Sequence, residues 1–321
     1  MKFWYQPLRW WVWILYPLAL LLSVFSKIRR NILQGKANSN SDSEPRLPVI
    51  IVGNISVGGN GKTPFVIWLC ELLIKEGYKP GIVSRGYGGK SEYYPLLLNS
   101  KTQGDEAGDE PVMMFKRLQI PIVVDPKRAK AASYLSENCD VDIIISDDGL
   151  QHYALARDIE IAVVDGERRF GNQKLMPMGP LREPLSRLNE VDFIINNGGQ
   201  AENEITMLLQ PQACTAVDGR SARLPKLVKV NACAAIGNPQ RFFDSLASQH
   251  YSLATQVAFA DHYAFNADDL AQFENQLPLL MTEKDAVKCT KFALPNWWYL
   301  PVNAQLPESF EQQILQKIKE L

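Results

Sequence analysis

The densest chemical signal in the chain is Gly53-Asn54-Ile55-Ser56-Val57-Gly58-Gly59-Asn60-Gly61-Lys62-Thr63-Pro64. The apolar run Val49 to Val52 ahead of it reads as a buried strand, and Phe65 to Leu73 behind it as a helix. A strand, a Gly-rich turn and Lys-Thr at a helix start form the context of a phosphate-binding loop. Glycines let backbone N–H groups converge on an anion, and the positive end of the helix dipole faces it. Val57 to Pro64 is therefore the expected nucleotide loop, with Lys62 on the outer phosphates and the Thr63 hydroxyl on Mg²⁺. Ser56 stands where the usual pattern has its first glycine. The competing reading is a Gly-rich turn with a solvated lysine. The flanking elements and the Gly61-Lys62-Thr63 core argue for the phosphate loop.

Other chemical residues are scattered. Asp147-Asp148 follows the apolar strand Val141 to Ser146. An acid at a strand end is where a P-loop enzyme places a further Mg²⁺ contact, and either of the two fits. His152, one of three histidines, follows closely. Asp109, in Gly108-Asp109-Glu110-Pro111, is either an N-cap or a general base, and nothing local decides between them. Asp261-His262 follows a strand of the second half; a histidine there can orient a base or share its proton. Ser84-Arg85-Gly86-Tyr87-Gly88-Gly89-Lys90 suits a loop closing over phosphates or a phosphorylated substrate, or else a solvated turn. Asp125-Pro126-Lys127-Arg128 and Gly179-Pro180-Leu181-Arg182-Glu183-Pro184 are further basic turns. Thr282-Glu283-Lys284-Asp285 reads as a helix start, with Thr as N-cap and acids in the first turn.

The elements that must position these residues are an alternation of strands and helices. Strands are expected at Val49–Val52, Pro80–Ser84, Ile120–Val124, Val141–Ser146, Ile159–Val164 and Val191–Ile195, with helices such as Glu110–Leu118 and Lys127–Glu137 between them. Near-continuous apolar strands separated by helices imply a mostly parallel sheet covered on both faces. The fold class is thus α/β, a P-loop NTPase core. A second, smaller α/β lobe follows, with strands at Val228–Ile236, Tyr251–Phe259, Leu279–Met281 and Trp297–Val302. Its helices are expected at Pro239–Ser248, Ala267–Asn275, Glu283–Cys289 and Glu308–Lys319. The boundary falls within Gln200 to Pro225, where periodicity is weak. The expected division is residues 1–35, 36–210 and 211–321.

The first of these divisions is a membrane element. Trp10 to Ser26 carries no charge, Arg9 precedes it, and Lys27, Arg29, Arg30 and Lys36 follow. As a helix it is roughly 26 Å long, against a hydrocarbon core of about 30 Å. Trp4, Tyr5, Trp10, Trp11 and Trp13 form an interfacial aromatic cluster. An anchor, spanning or lying in the interface, is favoured over a core helix or a cleaved signal peptide. The basic flank places the rest of the chain in the cytoplasm, and Gly35 to Pro48 reads as a polar linker. With 321 residues and a net charge of −1, the chain has no basic excess pointing to nucleic acid. The five scattered cysteines form neither a zinc motif nor a disulfide framework and suit a reducing cytosol.

Taken jointly and in order, seven motifs resemble the tetraacyldisaccharide 4′-kinase family, the lipid A 4′-kinases of Gram-negative bacteria. They are the phosphate loop, Ser84–Gly88, Gly108–Pro111, Asp147–His152, Gly179–Pro184, Asp261-His262 and Thr282–Asp285. The resemblance covers nearly the whole chain. Ser56 in the loop is normal for that family, and Leu150 stands where it often has Phe. The resemblance implies transfer of the ATP γ-phosphoryl group to the 4′-hydroxyl of a tetraacylated glucosamine disaccharide 1-phosphate at the inner membrane. It implies Asp109 as base assisted by His262, and Asp147 and Asp148 serving Mg²⁺ and the nucleotide site with His152 nearby. Arg85 and Tyr87 are the expected substrate-binding residues. The expected partners are the lipid A disaccharide precursor and the membrane surface, with no nucleic acid and no obligate protein partner. A membrane-tethered P-loop NTPase switch is the rival reading.

Overall fold

The computed structural model describes residues 2–7, 9–41, 46–273 and 276–321. A 3₁₀ segment, Trp10–Leu15, leads into helix α1 (Tyr16–Ser41). Trp10–Leu33 is long and apolar enough to cross a membrane by length and composition. Little of it packs on the protein: Val12 and Ala19 are buried with Met178, whereas Trp10, Ile14, Leu21 and Phe25 are exposed. Arg30 ties the helix to the body through Glu190 and lies 5.0 Å over the Tyr153 ring. The linker expected from Gly35 is, in its first part, a continuation of α1 to Ser41. A helix once nucleated extends at small cost per residue. Residues 42–45 of that linker lie outside the described residues.

The first lobe is a nine-stranded sheet. In chain order it uses β1 (Val49–Gly53), α2 (Lys62–Lys75), β2 (Pro80–Ser84), β3 (Leu96–Leu97), α3 (Gly104–Ala107), α4 (Asp109–Leu118), β4 (Ile122–Val124), α5 (Arg128–Asn138), β5 (Ile143–Ser146), β6 (Ile159–Asp165), β7 (Phe193–Asn197) and β8 (Ile205–Pro211). β1 lies inside the sheet, parallel to β5 on one side and β6 on the other. All five of its residues are buried. That is why its sequence is uniformly apolar rather than alternating: helices cover both faces. β8 was not expected. It occupies part of the weakly periodic boundary region, and only Met207 of its seven residues is buried.

The second lobe is a five-stranded sheet. It contains β9 (Thr215–Ala216), β10 (Lys229–Ala234), α6 (Pro239–Ser248), β11 (Ser252–Ala258), α7 (Ala267–Leu270), β12 (Leu279–Thr282), α8 (Glu283–Cys289) and β13 (Trp297–Leu300). Its strands run parallel in the order β11-β10-β12-β13, with β9 antiparallel at the edge. The helix expected from Ala267 ends at Leu270; residues 274–275 of that expectation lie outside the described residues.

Two expectations near the C-terminus are corrected. Trp297 to Val302 is not one strand: β13 stops at Leu300, and β14 (Val302–Gln305) pairs antiparallel with β8 in the first sheet. Pro301 separates them, because it has no N–H to continue a ladder. The final helix α9 (Glu308–Lys319) therefore packs on the first lobe and not the second, so residues 211–321 do not form one unit. Phe310, Ile314 and Ile318 share a core with Phe65, Leu69 and Leu73 of α2. The Phe310 ring stacks on Trp68 with centroids 5.7 Å apart.

Phe310 is fully buried, so Phe310→Ala should cost about 3–5 kcal/mol of stability and weaken the lobe that carries the phosphate loop. Urea unfolding followed by tryptophan fluorescence measures it. A cost below about 1 kcal/mol would mean α9 does not close the first core.

Candidate active site

A cavity of about 1200 Å³ lies where the two lobes meet. The phosphate loop, between β1 and α2, forms one wall, and the turns after β10 and β11 reach into the cavity from the second lobe. The loop is braced from several sides. Asn60 Nδ2 donates to Ser56 Oγ at 3.0 Å, which gives Ser56 a reason to stand where a glycine is usual. Asn197 donates to the Asn60 carbonyl and Arg168 to the Gly59 carbonyl. The Val57 amide donates to the Pro180 carbonyl, joining the loop to the basic turn around Arg182. Gly61 has φ +90°, and a Cβ there would meet Asn197 Nδ2 at 2.3 Å, so the position admits glycine alone. Lys62 and Thr63 then open α2, whose N-terminal amides face the cavity.

The Asp147-Asp148 pair sits at the end of β5 beside this loop. Asp148 has φ +48°, a left-handed conformation uncommon outside glycine. Its carboxylate lies 3.3 Å from Lys62 Nζ and 3.2 Å from Arg182 Nη1. Burial opposes ionisation there, yet Lys62, Arg182 and Arg128 together hold the Asp148 carboxyl below the ordinary range. Asp147 is the reverse case. Burial, followed by the negative charges of Glu110 and Asp148, pushes its carboxyl well above the usual range. Its Oδ1 is buried without a hydrogen-bond partner among the described residues. An orphaned carboxyl oxygen lining the same cavity as the glycine-rich loop and Thr63 fits the kind of ligand Mg²⁺ takes in such a site. That ion takes one or two protein oxygens, the rest of its shell coming from phosphates and water. No cluster of three or more metal-type side chains occurs among the described residues, and this mode requires none.

Asp109 and His262 approach from opposite lobes. Asp109 opens α4 after Gly108, which has φ +90°. Gly86 and Gly89 pack on Ala107 and Gly108: a Cβ on Gly89 would meet the Gly108 nitrogen at 2.4 Å. Those interlocked turns carry Tyr87 to His262, ring centroids 5.1 Å apart. Arg85, Tyr87, Asp148, His152 and His262 all line the cavity, whereas Asp109 is not among its lining residues, though its neighbour Glu110 is. Burial raises the Asp109 carboxyl pKa, against the pull of Lys288, Lys284 and His262. His262 has φ +61°, and its Nε2 lies 3.3 Å from Lys284 Nζ. An ammonium only donates, so Nε2 accepts in this contact.

Two participants carried no local signal. Lys284, read as part of a helix start, does follow a Thr282 N-cap. It also bonds Glu110 at 2.9 Å and reaches Asp261 as well as His262. Burial opposes both charges of the Lys284–Glu110 pair, but their attraction lowers the Glu110 pKa and raises that of Lys284. Arg128, flagged only as part of a basic turn, is buried and donates to the Asp147 carbonyl at 2.7 Å.

Burial, with Arg128 and Arg85 close by, pushes His152 down to about 3. Unfolded, it titrates near about 6.5. Between those values the unfolded chain binds the extra proton, so this residue makes stability fall as pH drops below about 6.5. His152→Gln should flatten that loss in urea midpoints taken from about pH 7 to about pH 4. An unchanged pH slope would show that His152 is not held neutral.

The model of the family described as Tetraacyldisaccharide-1-P 4′-kinase matches residues 11–319. A tetraacyldisaccharide 4′-kinase from Psychromonas ingrahamii is 64% identical over 321 residues, covering 100% of this chain and 99% of the relative. One from Vibrio cholerae is 52% identical over 326 residues, covering 100% and 96%. A crystal structure of LpxK from Aquifex aeolicus in complex with ATP superposes with a TM-score of 0.76 at 26% identity, covering 96% of this chain and 99% of that one. The order of the motifs, the two-lobed sheet topology and these matches over full length agree, and the chain belongs to the tetraacyldisaccharide 4′-kinase family.

Proposed function

We propose that the chain transfers the γ-phosphoryl group of ATP to the 4′-hydroxyl of a tetraacylated glucosamine disaccharide 1-phosphate. One observation carries the assignment of roles: a single cavity is lined by the phosphate loop of the first lobe and by His262 of the second. Phosphoryl transfer asks mainly for positioning and charge stabilisation. The loop amides and Lys62 hold the phosphates, and the Thr63 hydroxyl and Asp147 Oδ1 would hold Mg²⁺. That ion supplies charge neutralisation on the phosphate oxygens. Asp148 keeps Lys62 and Arg182 aimed into the site.

Asp109 accepts the proton of the 4′-hydroxyl as its oxygen bonds to the γ-phosphorus and the bond to the β–γ bridging oxygen breaks, releasing ADP. Burial suits it to this task, because a raised pKa makes a carboxylate a stronger base. His262, held by Lys284 and in edge-to-face contact with Tyr87, orients the acceptor next to it. Arg85 and Tyr87, which line the cavity, would contact the acceptor.

The acceptor carries acyl chains and leaves a bilayer only at high cost, so the enzyme works at the membrane surface. The exposed apolar face of Trp10–Leu33 supports anchoring there. Arg29, one position before the Arg30 contact to the body, already lines the cavity and links the anchor to the site. The basic flank puts the catalytic lobes on the cytoplasmic side of the inner membrane, where ATP is present.

The purified protein, Mg²⁺ and γ-labelled ATP should label the disaccharide 1-phosphate and neither a monosaccharide precursor nor a plain phospholipid in detergent. Release of free phosphate at the same rate with every lipid would instead favour an NTPase switch. Asp109→Ala should abolish transfer and leave ATP binding intact; lost ATP binding would overturn its role. Deleting residues 1–30 should impair turnover on bilayer-embedded acceptor more than ATP binding, and unchanged turnover would remove the anchor from the reaction.

A further inference from the structure

The first turn of α4 offers two adjacent acids, Asp109 and Glu110, to the second lobe. α8 meets them with two lysines one helical turn apart, Lys284 and Lys288. Each acid takes one lysine: Glu110 binds Lys284 at 2.9 Å, and Asp109 Oδ2 lies 3.6 Å from Lys288 Nζ. The two lysines differ in what stands behind them. Lys284 lines the cavity, whereas Lys288 is only 8% exposed and does not. Its ammonium is fixed at 2.9 Å by Oδ1 of Asp285, which is fully buried. Asp285 Oδ2 accepts from the Ala235 amide at 2.9 Å and from the Thr282 hydroxyl at 2.7 Å, so that carboxylate cannot turn away. This immobilised ammonium, which also lies 5.5 Å from the Phe265 ring centroid, is 3.6 Å from Asp109 of the first lobe.

We propose that Lys288, clamped by Asp285, is a positioning residue for the base, reaching from the second lobe to orient the Asp109 carboxylate and keep it charged once the lobes are together. The inference rests on Asp109 acting as base. The 3.6 Å separation is longer than a charge-assisted hydrogen bond, so the carboxylate is steered without being consumed and stays free to take a hydroxyl proton. Burial raises the Asp109 carboxyl pKa, and Lys288 is foremost among the groups that oppose this. The other charged or titratable groups facing Asp109 are Lys284, Asp285 and Cys289 of α8, His262, and Glu110 beside it on α4. Asp105 of α3 is engaged instead with Lys291. Because the cation and the base belong to different lobes, Lys288 reaches Asp109 only when α8 is docked on α4.

The test is kcat/KM for the lipid acceptor against pH in the full-length protein in detergent, with ATP binding measured alongside. Removing a neighbouring cation raises a carboxyl pKa, so Lys288→Met should move the acidic limb to higher pH by about one pH unit. The KM for ATP should stay as in the unmodified protein, and Lys288→Arg should restore the limb. Should the methionine variant fail to bind ATP, Lys288→Gln, which keeps a donor for Asp285 but no charge, is read in the same way. An acidic limb unmoved in both neutral variants overturns the proposal while leaving Asp109 as base. Transfer surviving in Asp109→Ala overturns the underlying assignment instead, and the two failures are therefore separable.

Discussion

The structure depends on holding many charges of both signs in one half-buried space between two lobes. Asp147, Asp148 and Glu110 lie within electrostatic reach of one another, and Lys62, Arg128, Arg182 and Lys284 are interleaved with them. Isolated, any of these would be costly to bury. Most are tolerated because a partner from a distant stretch of chain faces them; Asp147, whose Oδ1 has no hydrogen-bond partner among the described residues, is the least compensated. The network thus favours the fold and the nucleotide complex through the same charges. Removing one partner leaves its neighbour buried and uncompensated, which costs more than the pair contributes.

That arrangement sets how the lobes are joined. The chain leaves the first sheet at Pro211 and returns at Val302, and the Gln212 amide bonds the Pro301 carbonyl where the two passages run side by side. A pair of adjacent chain passages therefore joins the two lobes. Arg117 of α4 spans the same junction, binding Glu283 of α8 and the Val302 carbonyl at 3.1 Å each. The helices that carry Asp109 and its facing lysines, α4 and α8, are therefore the ones that meet at this junction.

Two of the site's residues, Asp148 and His262, adopt left-handed backbone conformations. Such conformations cost energy and persist where the surroundings impose them, which is common at functional sites. Both follow strands, β5 and β11, at the ends that face the cavity. Parallel sheets gather their ligand sites beyond the carboxyl ends of strands because the loops there are free to vary without disturbing the ladders. The N-terminal helix extends that logic outward. Its apolar surface is largely exposed, and its basic end, through Arg29 and Arg30, abuts the same cavity and the Tyr153 ring.

Local chemistry was legible in the sequence wherever one stretch sufficed to specify it. Val49 to Val52 is apolar because both faces are covered, Gly61 is glycine because φ is positive, and Thr282 caps α8. The uncharged run from Trp10 to Ser26 marks a helix that solvent water would not favour. The joint order of seven short motifs was enough to indicate the family, since each encodes a local loop geometry. What the sequence left undetermined depends on residues far apart in the chain. β8 is mostly half-exposed and so lacks the periodicity that marks a strand. The hidden break at Pro301 sends the last strand and helix back to the first lobe. Glu110 and Lys284 meet across 174 positions, and Lys288 meets Asp109 only because α8 docks on α4. Periodicity and capping are properties of neighbours along the chain, whereas charge pairing across two lobes exists only once both sheets have formed and brought their loop ends to one cavity.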